Sequence, residues 1–168
     1  MWILRLSEML SKALMVFAAI WAFLIAFYIL LDVVLRNLDL PIEGTAEIIT
    51  NSIVTIIFLQ LAYGIHIRGM IRADFLMHFM GPRTQRTIDL VNYLFGAVFF
   101  AIVIIGQWEP AWNALINNEF EGEGAVRIPT WPSRFAIVIG SGLAVANYLL
   151  LIVREFIEPP ESRAGAAH

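Results

Sequence analysis

Cysteine is absent from this chain. Disulfides, zinc–thiolate sites and thiol nucleophiles are therefore excluded, and the redox compartment is left open. Charge is scarce: 15% of residues carry it, where a soluble domain has about a quarter. Four windows contain no Asp, Glu, Lys or Arg at all: Ala13–Leu31, Ile48–Ile67, Leu90–Trp108 and Phe135–Val153. Proline is missing from all four. That argues against the interrupted midplane helices that form a transporter's own substrate site. Polar residues inside the windows are few: Asn51, Gln60, Asn92, Gln107, Asn147 and some hydroxyls. They are too sparse for a continuous ion or proton path. No GxGxxG, Walker loop, H-E-x-x-H frame or nucleophile elbow occurs, so the sequence carries no recognisable enzyme signature.

What is present is apolar: 60% of the residues, with a mean hydropathy of +0.76. A helix needs about 20 mostly apolar residues to cross the hydrocarbon core of a bilayer. In lipid each backbone N–H and C=O must be bonded within its own element, so each window is expected to be helical. The fold class that follows is an all-α membrane protein with four transmembrane helices. The expected spans are about 13–35, 46–66, 88–108 and 133–154, within a membrane domain covering 1–158. The first run is longer than the apolar core of a cleavable signal and ends in "LLDVVLRN", so it is expected to be a retained helix. The tail 159–168, Pro-, Ala- and Glu-rich with its neighbours, is expected to be disordered.

Orientation follows from Lys and Arg in the flanks. Arg5, Lys12, Arg68, Arg72, Arg83, Arg86, Arg154 and Arg163 lie on one side; Arg36, Arg127 and Arg134 lie on the other. The excess places both termini and the middle loop in the cytoplasm. Trp2, Trp108, Trp112 and Trp131 fall near span ends, as in an ordinary interfacial aromatic belt.

Between the second and third windows runs "GIHIRGMIRADFLMHFMGPRTQR". Read as a helix over about 67–80, it puts Met70, Ala73, Leu76, Met77 and Met80 on one arc, with Arg68 and Arg72 opposite. Gly81-Pro82 then ends it. An apolar face for the acyl boundary and arginines for headgroups describe an amphipathic interfacial helix. Ile71 and Phe75 among the arginines suggest protein on the second face. His66 and His78 are too far apart for one helix turn and flank a surface loop, which disfavours axial haem ligation. No cofactor is expected.

Small residues four apart mark close helix contacts in lipid. Ala18, Ala22 and Ala26 form one such stripe, and Ala136, Gly140 and Ala144 another. Asp32 and Arg36 are spaced as a helical ion pair. Glu47 opens the second span, where a carboxylate complements the helix N-terminus; Arg36 is its other candidate partner.

Taken together, the pattern resembles the small membrane subunit of tripartite ATP-independent periplasmic (TRAP) transporters, the DctQ family. The resemblance covers about Met9–Phe156. It rests on "VVLRN" closing the first helix, "EGTAEIITNSIVTIIFLQLAYGIHIRGMIRADFL" around the second, and "RIPTWPSR" before the fourth. Arg36, Glu47, Ala62, Gly64, His66, Ile67, Pro129 and Trp131 match the family pattern, while Asp74 lies further from the histidine than is usual. The resemblance implies a non-catalytic scaffold in the bacterial inner membrane. Its partners would be a large membrane subunit holding substrate and sodium sites, a periplasmic binding protein delivering an organic acid, and membrane lipids; none is a nucleic acid. Candidate partner- or lipid-facing residues are Arg36, Glu47, Arg68, Arg72, Asp74, Trp131 and Arg134. Glu119, Glu121 and Glu123, in an acidic outer loop, are candidates for docking the binding protein. The competing readings are a stand-alone small carrier or channel and a haem-binding membrane anchor.

Overall fold

A computed structural model describes residues 2–40, 42–66, 81–122 and 127–157. They form four long helices and one small hairpin. Helix α1 is Trp2–Arg36, α2 Thr45–His66, α3 Pro82–Ile116 and α4 Trp131–Ile157. Strands β1 (Phe120–Glu121) and β2 (Ile128–Pro129) pair antiparallel between α3 and α4. All four helices are long and apolar enough to cross a membrane. The amphipathic segment at 67–80, with Arg68, Arg72 and Asp74, lies outside the described residues, as do Glu123 and the tail at 159–168.

Successive helices run in opposite directions, so the α1–α2 turn and the hairpin share one end of the domain. The helices pack in the order α1, α2, α4, α3, with only slight contact between α1 and α4. This is an open row, with α1 and α3 at its two ends. It explains why α1 buries only 6% of its most apolar window while α4, flanked on both sides, buries 39%.

The helix ends follow from local chemistry. After α1, Asp39 takes a left-handed φ of 58° and Leu40 N–H donates to Leu35 O over 3.0 Å. After α3, Asn118 has φ 47° and Glu119 N–H donates to Ala114 O, also over 3.0 Å. Both closures have the Schellman pattern, with Asp and Asn where glycine is commonest; these two residue types tolerate the left-handed region best among side-chain-bearing ones. Pro82 opens α3 at a position where no intrahelical N–H is needed.

Packing depends on small residues. Ala18 of α1 and Ala136 of α4 meet around Leu59 of α2, flanked by Leu14 and Ile56. Ala144 joins Ile65, Tyr93, Phe100 and Leu151 in a second cluster linking α2, α3 and α4. The α4 triplet Ala136, Gly140 and Ala144 is wholly buried. The α1 triplet is graded: Ala18 is buried, Ala22 half-buried and Ala26 exposed. Gly140 is the tightest point. A Cβ there would sit 2.7 Å from the carbonyl carbon of Phe58 and nearer still to its oxygen. Gly96 of α3 similarly admits the Tyr148 ring, whose Cζ would lie 2.6 Å from a Cβ.

Candidate functional site at the two ends of the helix row

Two polar clusters tie the helices together, one at each end. Toward the end opposite the hairpin, Asn147 of α4 is 1% exposed. Its Oδ1 accepts from Ser7 Oγ (2.6 Å), and its Nδ2 donates to Ser11 Oγ (3.1 Å) and to Ala62 O (2.8 Å). One amide thus joins α4 to α1 and α2 with both its donors and its acceptor used. A buried polar group without partners is costly in an apolar medium, so this triad specifies one arrangement of three helices. At the same end, Arg86 of α3 donates to Glu155 O of α4 (2.8 Å) and lies 5.6 Å from the Phe156 ring centroid. Asp89 and Glu155 are both buried there.

At the hairpin end, Asp32 is the hub of the α1–α2 turn. It is 5% exposed, accepts from Arg36 Nη2 over 3.1 Å and from Ile42 N–H over 3.2 Å, and so closes the turn onto α1. Thr45 donates to Ile42 O, and its hydroxyl lies 3.5 Å from that of Tyr28. Arg36 itself is exposed beyond the pair. Glu47 makes no ion pair among the described residues; its carbonyl accepts from Asn51 Nδ2.

Asn51 reaches the other way, to Glu121 Oε2 of the hairpin (2.9 Å), and its Oδ1 accepts from Ser133 Oγ of α4. Glu119 meets Arg134 at 3.3 Å, and its carbonyl accepts from both the N–H and the hydroxyl of Thr130. The hairpin is therefore clasped to the first turns of α2 and α4. Two of the three loop glutamates, Glu119 and Glu121, are engaged inside the chain by these contacts. Phe120 points out, 52% exposed, with the Arg127 guanidinium 5.7 Å from its ring. Trp131 opens α4 half-exposed at the same level.

The structure brings Arg134 and Glu119 together, and Arg36 and Asp32. It keeps Arg36 and Glu47 in separate contacts. Sequence reading did not single out Ser7, Ser11, Asn147, Ser133 or the Asn51–Glu121 pair as one network. Their signal was faint: isolated polar residues in apolar windows, each unremarkable alone. No group of three or more His, Cys, Asp or Glu suited to a metal ion occurs among the described residues. The His66 side chain and His78 lie outside them.

The described residues form four spans held by polar clasps. Residues 25–158 match the family model described as tripartite ATP-independent periplasmic transporters, DctQ component. The match covers the last third of α1, the whole of α2, α3 and α4, and the hairpin-end clasp; Ser7 and Ser11 precede it. The chain belongs to the DctQ family. It is a component of a TRAP-type transporter and a multi-pass protein of the bacterial inner membrane. Membership implies association with a large TRAP subunit and a periplasmic binding protein. Neither the curated proteins nor the solved structures compared with it give a match.

Proposed function

We propose that this DctQ-family chain is a fixed scaffold beside a large subunit that carries substrate and coupling ion. The large subunit takes up an organic acid, a carboxylate handed over by the binding protein, in symport with sodium. Both termini face the cytoplasm and the hairpin faces the periplasm, in keeping with the arginine asymmetry. The basic segment with Arg68 and Arg72 attaches the scaffold to lipid headgroups or the large subunit.

One observation carries this reading. The polar side chains that tie the helices and their turns together, buried Asn147, Ser11, Ser133 and Asp32 and half-buried Ser7 and Asn51, are engaged in bonds within the chain. Such groups hold helices in one arrangement, where a carrier keeps polar groups available for cargo. Asn51 and Asn147 are among the few polar residues in the apolar windows, and both are consumed this way.

The test is reconstitution. The large subunit with this chain and the binding protein should drive sodium-dependent uptake of a carboxylate into liposomes. This chain alone should drive none. Uptake by the chain alone would favour the stand-alone carrier instead.

A further inference from the structure

Helix α3 ends the row, and its outward side carries two different stripes about 100° apart. Val91, Val98, Ile105 and Trp112 form one, exposed and wholly apolar, as lipid requires. Asn92, Phe99, Gly106 and Asn113 form the other, also exposed. Ile102 and Glu109 lie along the same face, both exposed.

This second stripe contains a group that lipid does not satisfy. Pro110 lies inside α3 and has no N–H. The carbonyl four residues earlier, that of Gly106, therefore lacks its helical donor. Gly106 is exposed, and a Cβ on it would meet nothing within 4 Å. It stands two residues inside the uncharged window. In spanning helices a carbonyl freed by proline is re-satisfied by neighbouring protein or by water. The Glu109 carboxylate lies one turn further on and is also exposed, so two acceptors stand close together on this face. The complement is a membrane-embedded surface with an N–H or cationic donor at that level. The absent side chain of Gly106 lets its backbone come close.

We propose that the α3 face of Asn92, Phe99, Ile102, Gly106 and Glu109 is the surface on which the large membrane subunit docks. This rests on the reading above that the chain works beside such a subunit. The pure apolar stripe and the free face of α1 are left to lipid.

Two experiments test it, both on the full chain in native membranes. First, the unsubstituted tagged chain is purified in mild detergent to establish that the large subunit accompanies it. A chain purified alone, or as a pair of itself, overturns both this proposal and the reading it rests on. Second, a benzophenone-bearing phenylalanine is placed at Phe99, Ile102 or Asn113, with controls at Val98, Ile105 and, on α1, Phe23. Light should yield an adduct with the large subunit from the first three positions and not from the controls. Adducts only from the controls, or none from the first three while co-purification persists, would overturn the face and leave the scaffold reading intact. Gly106→Leu gives an independent check. A Cβ there meets nothing within 4 Å and the residue is exposed, so its melting should match the unsubstituted protein while recovery of the large subunit falls about tenfold or more. Unchanged recovery would also overturn the proposal.

Discussion

Replacing Gly140 with alanine should loosen the α2–α4 seam more than the same change at Gly64, Gly81, Gly96, Gly106 or Gly142. The added Cβ would lie 2.7 Å from the Phe58 carbonyl carbon and closer to the oxygen. A relaxed carbon–oxygen contact needs roughly 3.3 Å or more. The obstacle is backbone, so no rotamer change relieves it, and the helices must part by about 1 Å. A gap of that size forfeits a quarter to a half of the dispersion energy of contacts lining it. Those contacts include Ala136 on Leu59 one turn away and Ala144 on the second cluster. Overpacking typically costs about 1–3 kcal/mol, and the upper half of that range applies where the obstacle is backbone. For a chain this long each kcal/mol lowers Tm by roughly 2–4 °C, giving a drop of about 5–10 °C. The assay is thermal unfolding of the purified protein in mild detergent, followed by size-exclusion recovery. Gly142→Ala is the control, because a Cβ there meets nothing within 4 Å. Gly96→Ala should fall between the two, since the obstacle there is the Tyr148 ring, a side chain that can shift. Equal melting of Gly140→Ala and Gly142→Ala would refute the packing argument.

Other substitutions probe the polar clasps and the orientation. Asn147→Leu removes three interhelical hydrogen bonds; at about 0.6 kcal/mol each in a membrane, the loss is about 2 kcal/mol, read in the same melting assay. Asp32→Ala removes the acceptor of both Arg36 and Ile42 N–H, and hydrogen exchange at the 37–44 turn should rise while the α4 core stays protected. A double-mutant cycle over Glu119→Ala and Arg134→Ala should return less than about 1 kcal/mol, as partly exposed ion pairs do. Because the chain has no cysteine, single cysteines at Asn118 and at Arg154 report orientation: an impermeant maleimide added to intact cells should label the first and spare the second.

Much of the fold was legible because lipid imposes a simple rule. Four charge-free windows of spanning length are hard to read as anything but helices. The helix ends were less legible: α3 runs eight residues past Trp108, through Pro110, to Ile116. A proline at the edge of an apolar run is compatible with both stopping and kinking a helix, and composition does not decide between them. The small-residue stripes are visible in the sequence, yet spacing alone says nothing of depth, and Ala26 sits exposed where Ala18 is buried. The clasps were the least legible part. Ser7 and Asn147 are 140 residues apart, and only the row order of the helices brings them together. The short hairpin was likewise invisible, since two-residue strands leave no periodicity.

The most direct test of the scaffold account is purification of the tagged chain from its native membranes in mild detergent, with mass spectrometry of what accompanies it. The account predicts one large polytopic membrane protein in equal amount. A well-folded chain recovered alone, and able to move a solute across liposomes unaided, would contradict it.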